Sequence, residues 1–357
     1  MFYYIIFYFI VLTVFYSSEK QIKGVVIFWF LFLTLLSGLR YDVGADYMSY
    51  VDIFNMIPTT FNNLFPKEVH IEWGAYLLMY IIKALHLNVY VFFFLMSFIS
   101  FVFLYKSIIK LNPHYAHYSV IIYFAFFFLQ YHFNIIRHGV MVSFVWYAFS
   151  YIEERNFRKF ITYIIIGGTF HILAFAMIPF YWLLNRTYSF KFVLLSLLLS
   201  FVLGTVLSNI LLAILMMTPL KDSIFYYTEL FYANEEISTS ISLGTILNTV
   251  ILIVFIYLFK NKIQSMKIIS NALFYALLTI YIFRGFGIFG ERIGGLLNLS
   301  IIFIIPYFFT IIKKNSYIIV NGIIVLYCIL LLSRNLTSIN SATGEPQFLP
   351  YKTIFLS

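Results

Sequence analysis

Four arginines and one histidine are the residues of this chain best suited to chemistry. Arg40, Arg137, Arg284 and Arg292 each stand at or near the end of an apolar run. A guanidinium presents a planar fork of donors that can grip a carboxylate or phosphate at two points. One such arginine could simply snorkel its charge to a membrane interface, whereas four suggest a pocket for an anionic ligand. Arg40 has Asp42 and Asp46 close by in LRYDVGADYMSY, so a salt-bridged loop cap is the rival reading for that residue. His171, in GGTFHILAFA, lies well inside the apolar run 160–184. Neutral imidazole is suited to take a proton from a hydroxyl. His132 and His138 flank Arg137 in QYHFNIIRHG, where Asn134 adds a hydrogen-bonding group. The stretch FRGFGIFGERIGG, residues 283–295, sets glycines around Arg284, Glu291 and Arg292. It reads either as a Gly-rich turn or as backbone closing on a ligand, with Arg292 as the anion contact.

Other chemistries lack their residues. His114 and His117 form an HxxH pair without a nearby carboxylate, and Cys328 is a single cysteine inside an apolar run. Neither a zinc site nor a disulfide framework follows from these. The chain contains no Walker A sequence, HExxH, GxSxG or CxxC, which removes support for an ATP-driven pump, a zinc protease and a serine hydrolase.

The elements that must position these groups are membrane helices. Hydrophobic residues make up 62% of 357, only 10% are charged, and the mean hydropathy is +0.94. A water-soluble globule cannot bury that much apolar surface. Apolar runs fall at 2–16, 22–39, 73–86, 88–109, 115–130, 135–152, 160–184, 190–216, 243–260, 268–284, 293–312 and 316–333. Several approach the roughly 20 residues that cross a bilayer. The first has no preceding basic residues and no small-residue cleavage site after it, so it reads as a membrane helix rather than a removable signal. Residues 73–86 are short and carry Lys83, which suits an amphipathic or re-entrant helix. Residues 160–184 hold Gly167, Gly168, His171 and Pro179, which suits a helix broken at membrane depth.

Ten full spans, two partial ones and an outside N-terminus put most lysines and arginines inside, including Lys106, Lys110, Arg155, Arg158 and Lys159. The positive-inside rule favours this arrangement and accounts for the net charge of +9 without nucleic acid. The outer side then receives loops 40–72 and 217–242, the tail 334–357, and all four candidate arginines. The whole of 1–357 is expected to be one transmembrane domain.

At this point the pieces match a family. LRYDVGADYMSY resembles the N-terminal motif of EpsG-like proteins and related Wzy-type O-antigen polymerases, through Arg40, Gly44, Asp46, Tyr47 and Tyr50. The block from Ile135 to Ala174 resembles the same family's centre: an Arg-Gln pair, a basic loop, then Phe-His before Ser-Ala. Here His138 replaces the usual Gln, and Ile172-Leu173-Ala174 replaces the residues after the histidine. ERIGGLLN and LPYK look like C-terminal features of the family.

The resemblance implies an all-α polytopic membrane protein, related to GT-C-like membrane glycosyltransferases. It implies a nucleotide-independent polymerase in the bacterial inner (plasma) membrane, multi-pass, with its active site facing the periplasm. Donor and acceptor would be oligosaccharide repeat units on undecaprenyl diphosphate, joined into O-antigen, capsule or exopolysaccharide. Arg40, Arg137, Arg284 and Arg292 would hold the diphosphate, and His171 or Asp46 would take the acceptor proton. Gly44, Tyr47, Tyr50, His138 and Glu291 would support them. Neither cofactor nor metal is called for if the arginines neutralise the diphosphate. Membrane lipids, a chain-length regulator and a flippase are the implied partners. A flippase for the lipid-linked unit and a membrane acyltransferase acting on the glycan are the competing functions.

Overall fold

The computed structural model describes residues 1–17, 21–58, 71–112, 115–217, 241–259, 263–284, 290–311, 316–339 and 344–355. Most of the outer loops expected at 40–72 and 217–242 (59–70 and 218–240), together with His114, fall outside the described residues. The described chain is helical, with isolated bridges as its only β-type pairing. It divides into two compact units: Met1–Tyr181 with Ile305–Ser357, and Trp182–Ile304.

The first unit begins with α1 (Phe2–Tyr16), α2 (Ile22–Gly38), α3 (Tyr47–Met56), α4 (Trp73–Ala84) and α5 (Val89–Leu111). Helix α6 (Ala116–Tyr123) then runs into two π-helical turns, Phe124–Phe128 and Gln130–Asn134, before α7 (Ile136–Phe149) and α8 (Phe157–Phe170). Asn88 and Asn156 cap α5 and α8, their side-chain oxygens accepting from Tyr90 N and Lys159 N at 3.1 Å. The apolar runs expected at 115–130 and 135–152 are joined almost without a loop. The chain reverses at Ile135 (φ −79°, ψ 58°). Gly139 permits the reversal, because a Cβ there would lie 2.4 Å from the Tyr131 carbonyl oxygen.

The helix expected to break within 160–184 does so at His171, whose extended backbone (φ −160°, ψ 125°) ends α8. A 3₁₀ turn (Ile172–Met177) and a single helical turn α9 (Phe180–Leu183) follow. Helix α4 is 12 residues long, too short to cross a bilayer. Its Lys83 ammonium donates to the Phe54, Asn55 and Ile57 carbonyls at 3.0, 2.7 and 2.5 Å, closing the otherwise open C-terminus of α3.

In the second unit α10 (Phe190–Met216), α11 (Leu243–Leu258) and α12 (Ile263–Ile282) lead to a π turn (Gly290–Gly294) and the short α13 (Gly295–Asn298). Asn248 bonds Asn298 at 2.9 Å, and Thr249 bonds the Tyr281 hydroxyl at 2.6 Å. The chain passes through α14 (Ile301–Tyr307) and re-enters the first unit as α15 (Tyr317–Leu336). Among the described residues, four segments are long and apolar enough to cross a membrane: Val89–Leu111, Phe190–Leu207, Gly290–Thr310 and Tyr317–Leu336. Shorter apolar helices include α1, α2 and α11. Exposed Leu195, Leu198 and Val202 on α10, and Ile319, Ile323 and Leu330 on α15, suit lipid rather than water. The chain is a polytopic membrane protein.

Within the first unit, α7 separates two chemically different ends. Near its C-terminus Lys110 pairs with Glu154 at 2.7 Å, and Lys110 and Lys159 lie 3.3 and 5.1 Å from the Tyr151 ring centre. Arg137 stands at the other end, about 20 Å away by helical rise. The tail is on Arg137's side: Tyr41 N donates to Lys352 O (3.0 Å), Gly44 N to Gln347 O (2.9 Å) and Ile354 N to Leu39 O (3.1 Å). Phe348 is buried with its ring against Phe133, and the Tyr351 hydroxyl donates to Leu36 O at 2.8 Å. Residues 347–354 therefore form a strap across the 39–44 loop.

Candidate functional site

The loop after α2 is organised by Arg40, which is fully buried. Its Nη1, Nε and Nη2 donate to the carbonyls of Ser37 (2.6 Å), Val43 (3.1 Å) and Phe133 (3.5 Å). The guanidinium carbon lies 4.4 Å from the Phe93 ring centre and 5.1 Å from that of Phe133. Desolvation lowers the Arg40 pKa to about 10, which leaves it charged at neutral pH. Asp42, one of the two acids that could have paired with Arg40, instead meets Lys352 of the strap at 3.9 Å.

Gly44 is required on two counts: its φ is +104°, and a Cβ would stand 2.2 Å from the Phe133 oxygen that Arg40 also reaches. Beside it, Ala45 N donates to the Asn134 side-chain oxygen at 2.8 Å, and Asn134 Nδ2 donates to Gln347 at 2.7 Å. Replacing Gly44 with Ala is expected to lower stability by about 2 kcal/mol or more, since strained backbone alone costs 1–3. Thermal melting of the detergent-purified variant would measure the loss.

Asp46, half-buried, directly precedes α3, and its carbonyl accepts from Tyr50 N at 3.2 Å. Both tyrosines of the motif are buried on the inner face of that helix. Tyr47 stacks on Phe93 with centroids 5.1 Å apart, and Tyr50 packs against Phe92 and Phe93. One continuous apolar cluster joins them to Ala75 of α4, Ile136 of α7 and Phe170 of α8. That packing aims the Tyr50 hydroxyl at Arg137, whose Nε donates to it at 3.4 Å. Arg137 Nη1 forms an ion pair with Glu72, the residue immediately before α4. Arg137 and Glu72 are 26% and 22% exposed, so both are partly accessible to solvent.

The next residue carries the second half of the site. His138 is buried, and its ring meets that of His171 edge to face, centroids 5.2 Å apart at 90°. His171 is half-buried and stands at the Arg137 end of α8, where its Nδ1 accepts from Leu173 N at 3.3 Å. That bond assigns the ring proton of neutral His171 to Nε2. Gly74 lets α4 approach Thr169 closely, bringing the Glu72 end of α4 onto the end of α8. His132 is committed elsewhere, bonded to the Tyr123 hydroxyl at 2.8 Å and stacked 4.1 Å from Phe101.

The remaining candidates lie in the second unit. Arg284 Nη2 donates to Thr205 at 3.3 Å, and its guanidinium lies 6.0 Å from the Phe201 ring. Gly204 makes room, since a Cβ there would lie 2.1 Å from the Tyr281 oxygen. Arg292 is half-buried in the π turn and forms no ion pair among the described residues; Glu291 is exposed. The described residues contain no group of three or more His, Cys, Asp or Glu placed to hold a metal.

Arg40, Gly44, Tyr47, Tyr50, Arg137, His138 and His171 are thus linked through one unit, and sequence reasoning overlooked two residues that join them. Glu72 had a faint signal, an acid directly before a short helix in an outer loop. Gln347 had none beyond its place beside LPYK.

No curated protein and no solved structure matches this chain. The family model described as EpsG family, however, matches residues 23–353, from the start of α2 to the strap. The match includes every residue of the Arg137 cluster, and the chain belongs to the EpsG family, whose members are Wzy-type polymerase-like.

Proposed function

We propose that this chain polymerises oligosaccharide repeat units carried on undecaprenyl diphosphate, transferring the growing glycan to a hydroxyl of the incoming unit. The observation that carries this reading is Arg137, about one-quarter exposed between the Glu72 carboxylate and the Tyr50 hydroxyl and adjacent in sequence to His138 of the His138–His171 pair. The acceptor oxygen bonds to the anomeric carbon as the bond from that carbon to the diphosphate oxygen breaks. Negative charge grows on the departing lipid diphosphate, and preorganised donors in a poorly solvated site stabilise such charge. Arg137 supplies the bidentate contact. His171, with its proton on Nε2, supplies a neutral donor. Arg284 and Arg292 are further candidate anion contacts in the second unit. Arg40, its donors already on carbonyls, has the role of holding the loop that carries Asp46 and Tyr50. The site faces the periplasm in this reading, as the charge distribution along the chain favours.

The test is deletion of the gene in its host, followed by electrophoresis of the surface glycan. A polymerase mutant is expected to carry single repeat units where the parent shows a ladder. Complementation with His171→Ala is expected to restore less than about one-hundredth of the long chains, the scale of losing one transition-state donor. Long chains lacking one substituent in the deletion strain would replace this reading with glycan decoration, and loss of surface repeat units altogether would favour a flippase.

A further inference from the structure

The carboxylate of Glu72 sits oddly in a site meant for a lipid diphosphate. It would repel that ligand, yet it holds the arginine that should bind it. A side-chain oxygen in the residue before a helix, most often that of Ser, Thr, Asp or Asn, can accept a hydrogen bond from that helix's first N–H groups. The Glu72 side chain makes no such cap on α4; only its backbone oxygen does helical work, accepting from Tyr76 N at 3.0 Å. The carboxylate turns away to Arg137 instead. Both side chains are about one-quarter exposed, so solvent reaches the pair in part and screens it.

We propose that Glu72 occupies Arg137 in place of the lipid diphosphate, is displaced when that ligand binds, and then takes the proton of the acceptor hydroxyl. This rests on the polymerase reading above and assigns the base within it. A diphosphate carries more charge than a carboxylate and offers several oxygens to the guanidinium fork, so it outcompetes Glu72 for Arg137. The released carboxylate stays beside the bound donor. As the acceptor oxygen bonds to the anomeric carbon, its proton passes to Glu72, and the broken bond's electron pair leaves with the diphosphate on Arg137. His171 is less suited to that proton in the free site, because its Nδ1 lone pair is directed to Leu173 N. The empty enzyme thus keeps its base neutralised by its own anion contact.

The test compares full-length wild type with Glu72→Gln, both purified in detergent, using farnesyl diphosphate as the probe in a direct binding titration. Glu72→Gln is expected to bind the probe more tightly, by roughly two- to fivefold, the scale of one lost competing ion pair. The same substitution is expected to abolish the glycan ladder in cells. Tighter binding with lost turnover is a signature that a structural pair cannot give. Glu72→Asp keeps a carboxylate and is expected to retain part of the ladder, and melting without ligand establishes that each variant is folded. Weaker or unchanged binding by Glu72→Gln would overturn the displacement. A retained ladder in Glu72→Gln, with Asp46→Asn lacking one, would overturn the assignment of the base. Failure of the wild type and of Glu72→Gln to bind any diphosphate would instead remove the polymerase reading on which the inference stands.

Discussion

Arg137→Ala is expected to leave a folded, membrane-inserted protein that makes no polymer, with glycan chain growth reduced at least 10²- to 10³-fold. Arg137 is half-buried, and among the described residues its side chain bonds Glu72 and Tyr50 and no backbone carbonyl. Removing it costs little packing, since the cluster beneath is built from Tyr47, Tyr50, Phe92, Phe93, Ile136 and Phe170. Arg137→Lys is the sharper experiment. It restores charge but not the planar fork, so it is expected to recover only a small part of the ladder. Size-exclusion profiles with glycan electrophoresis check both variants. Full ladders from Arg137→Ala would remove the cluster from the chemistry.

Arg40→Ala is expected to fail in the opposite manner, with little folded protein recovered. Three carbonyls, those of Ser37, Val43 and Phe133, would lose their donor in a buried setting. Each orphaned acceptor costs about 1–3 kcal/mol. Together with the cavity left between Phe93 and Phe133, the sum approaches the 5–15 kcal/mol that holds a typical domain folded. Fluorescence-detected size exclusion of a tagged variant measures the outcome. A monodisperse, fully expressed Arg40→Ala protein that makes no polymer would show that Arg40 meets the ligand. The two arginines look alike in the sequence, and these variants tell them apart.

That likeness marks the boundary of what the sequence discloses. The helix break at His171 was legible, because paired glycines, a polar ring and a proline interrupt an apolar run. The shortness of α4 was legible for the same kind of reason. Gly44 was legible as a glycine of a motif, although its cause, the Phe133 carbonyl of a distant π-helix, was not. Burial of Arg40 was not legible either: a guanidinium after an apolar run reads as snorkelling to water, and only the reversal at Ile135 brings a carbonyl to it. Glu72 and Arg137 stand 65 positions apart. No periodicity links a loop acid to the first turn of a helix in another part of the chain. Pairings of that kind are settled by the fold alone.

The strap has a consequence in time. Its backbone bonds join residues 39–44 to residues 347–354, so the 39–44 loop is threaded into the membrane long before its partner has been made. At synthesis speeds of roughly 5–20 residues per second, about 15–60 s separate the two. Throughout that interval the Gly44 amide and the Asn134 side chain lack Gln347. A chain still on the ribosome therefore holds every arginine and histidine of the site before that site has its working shape. The 39–44 loop is closed by its strap only late in translation, and a chain that stalls before residue 347 lacks those bonds.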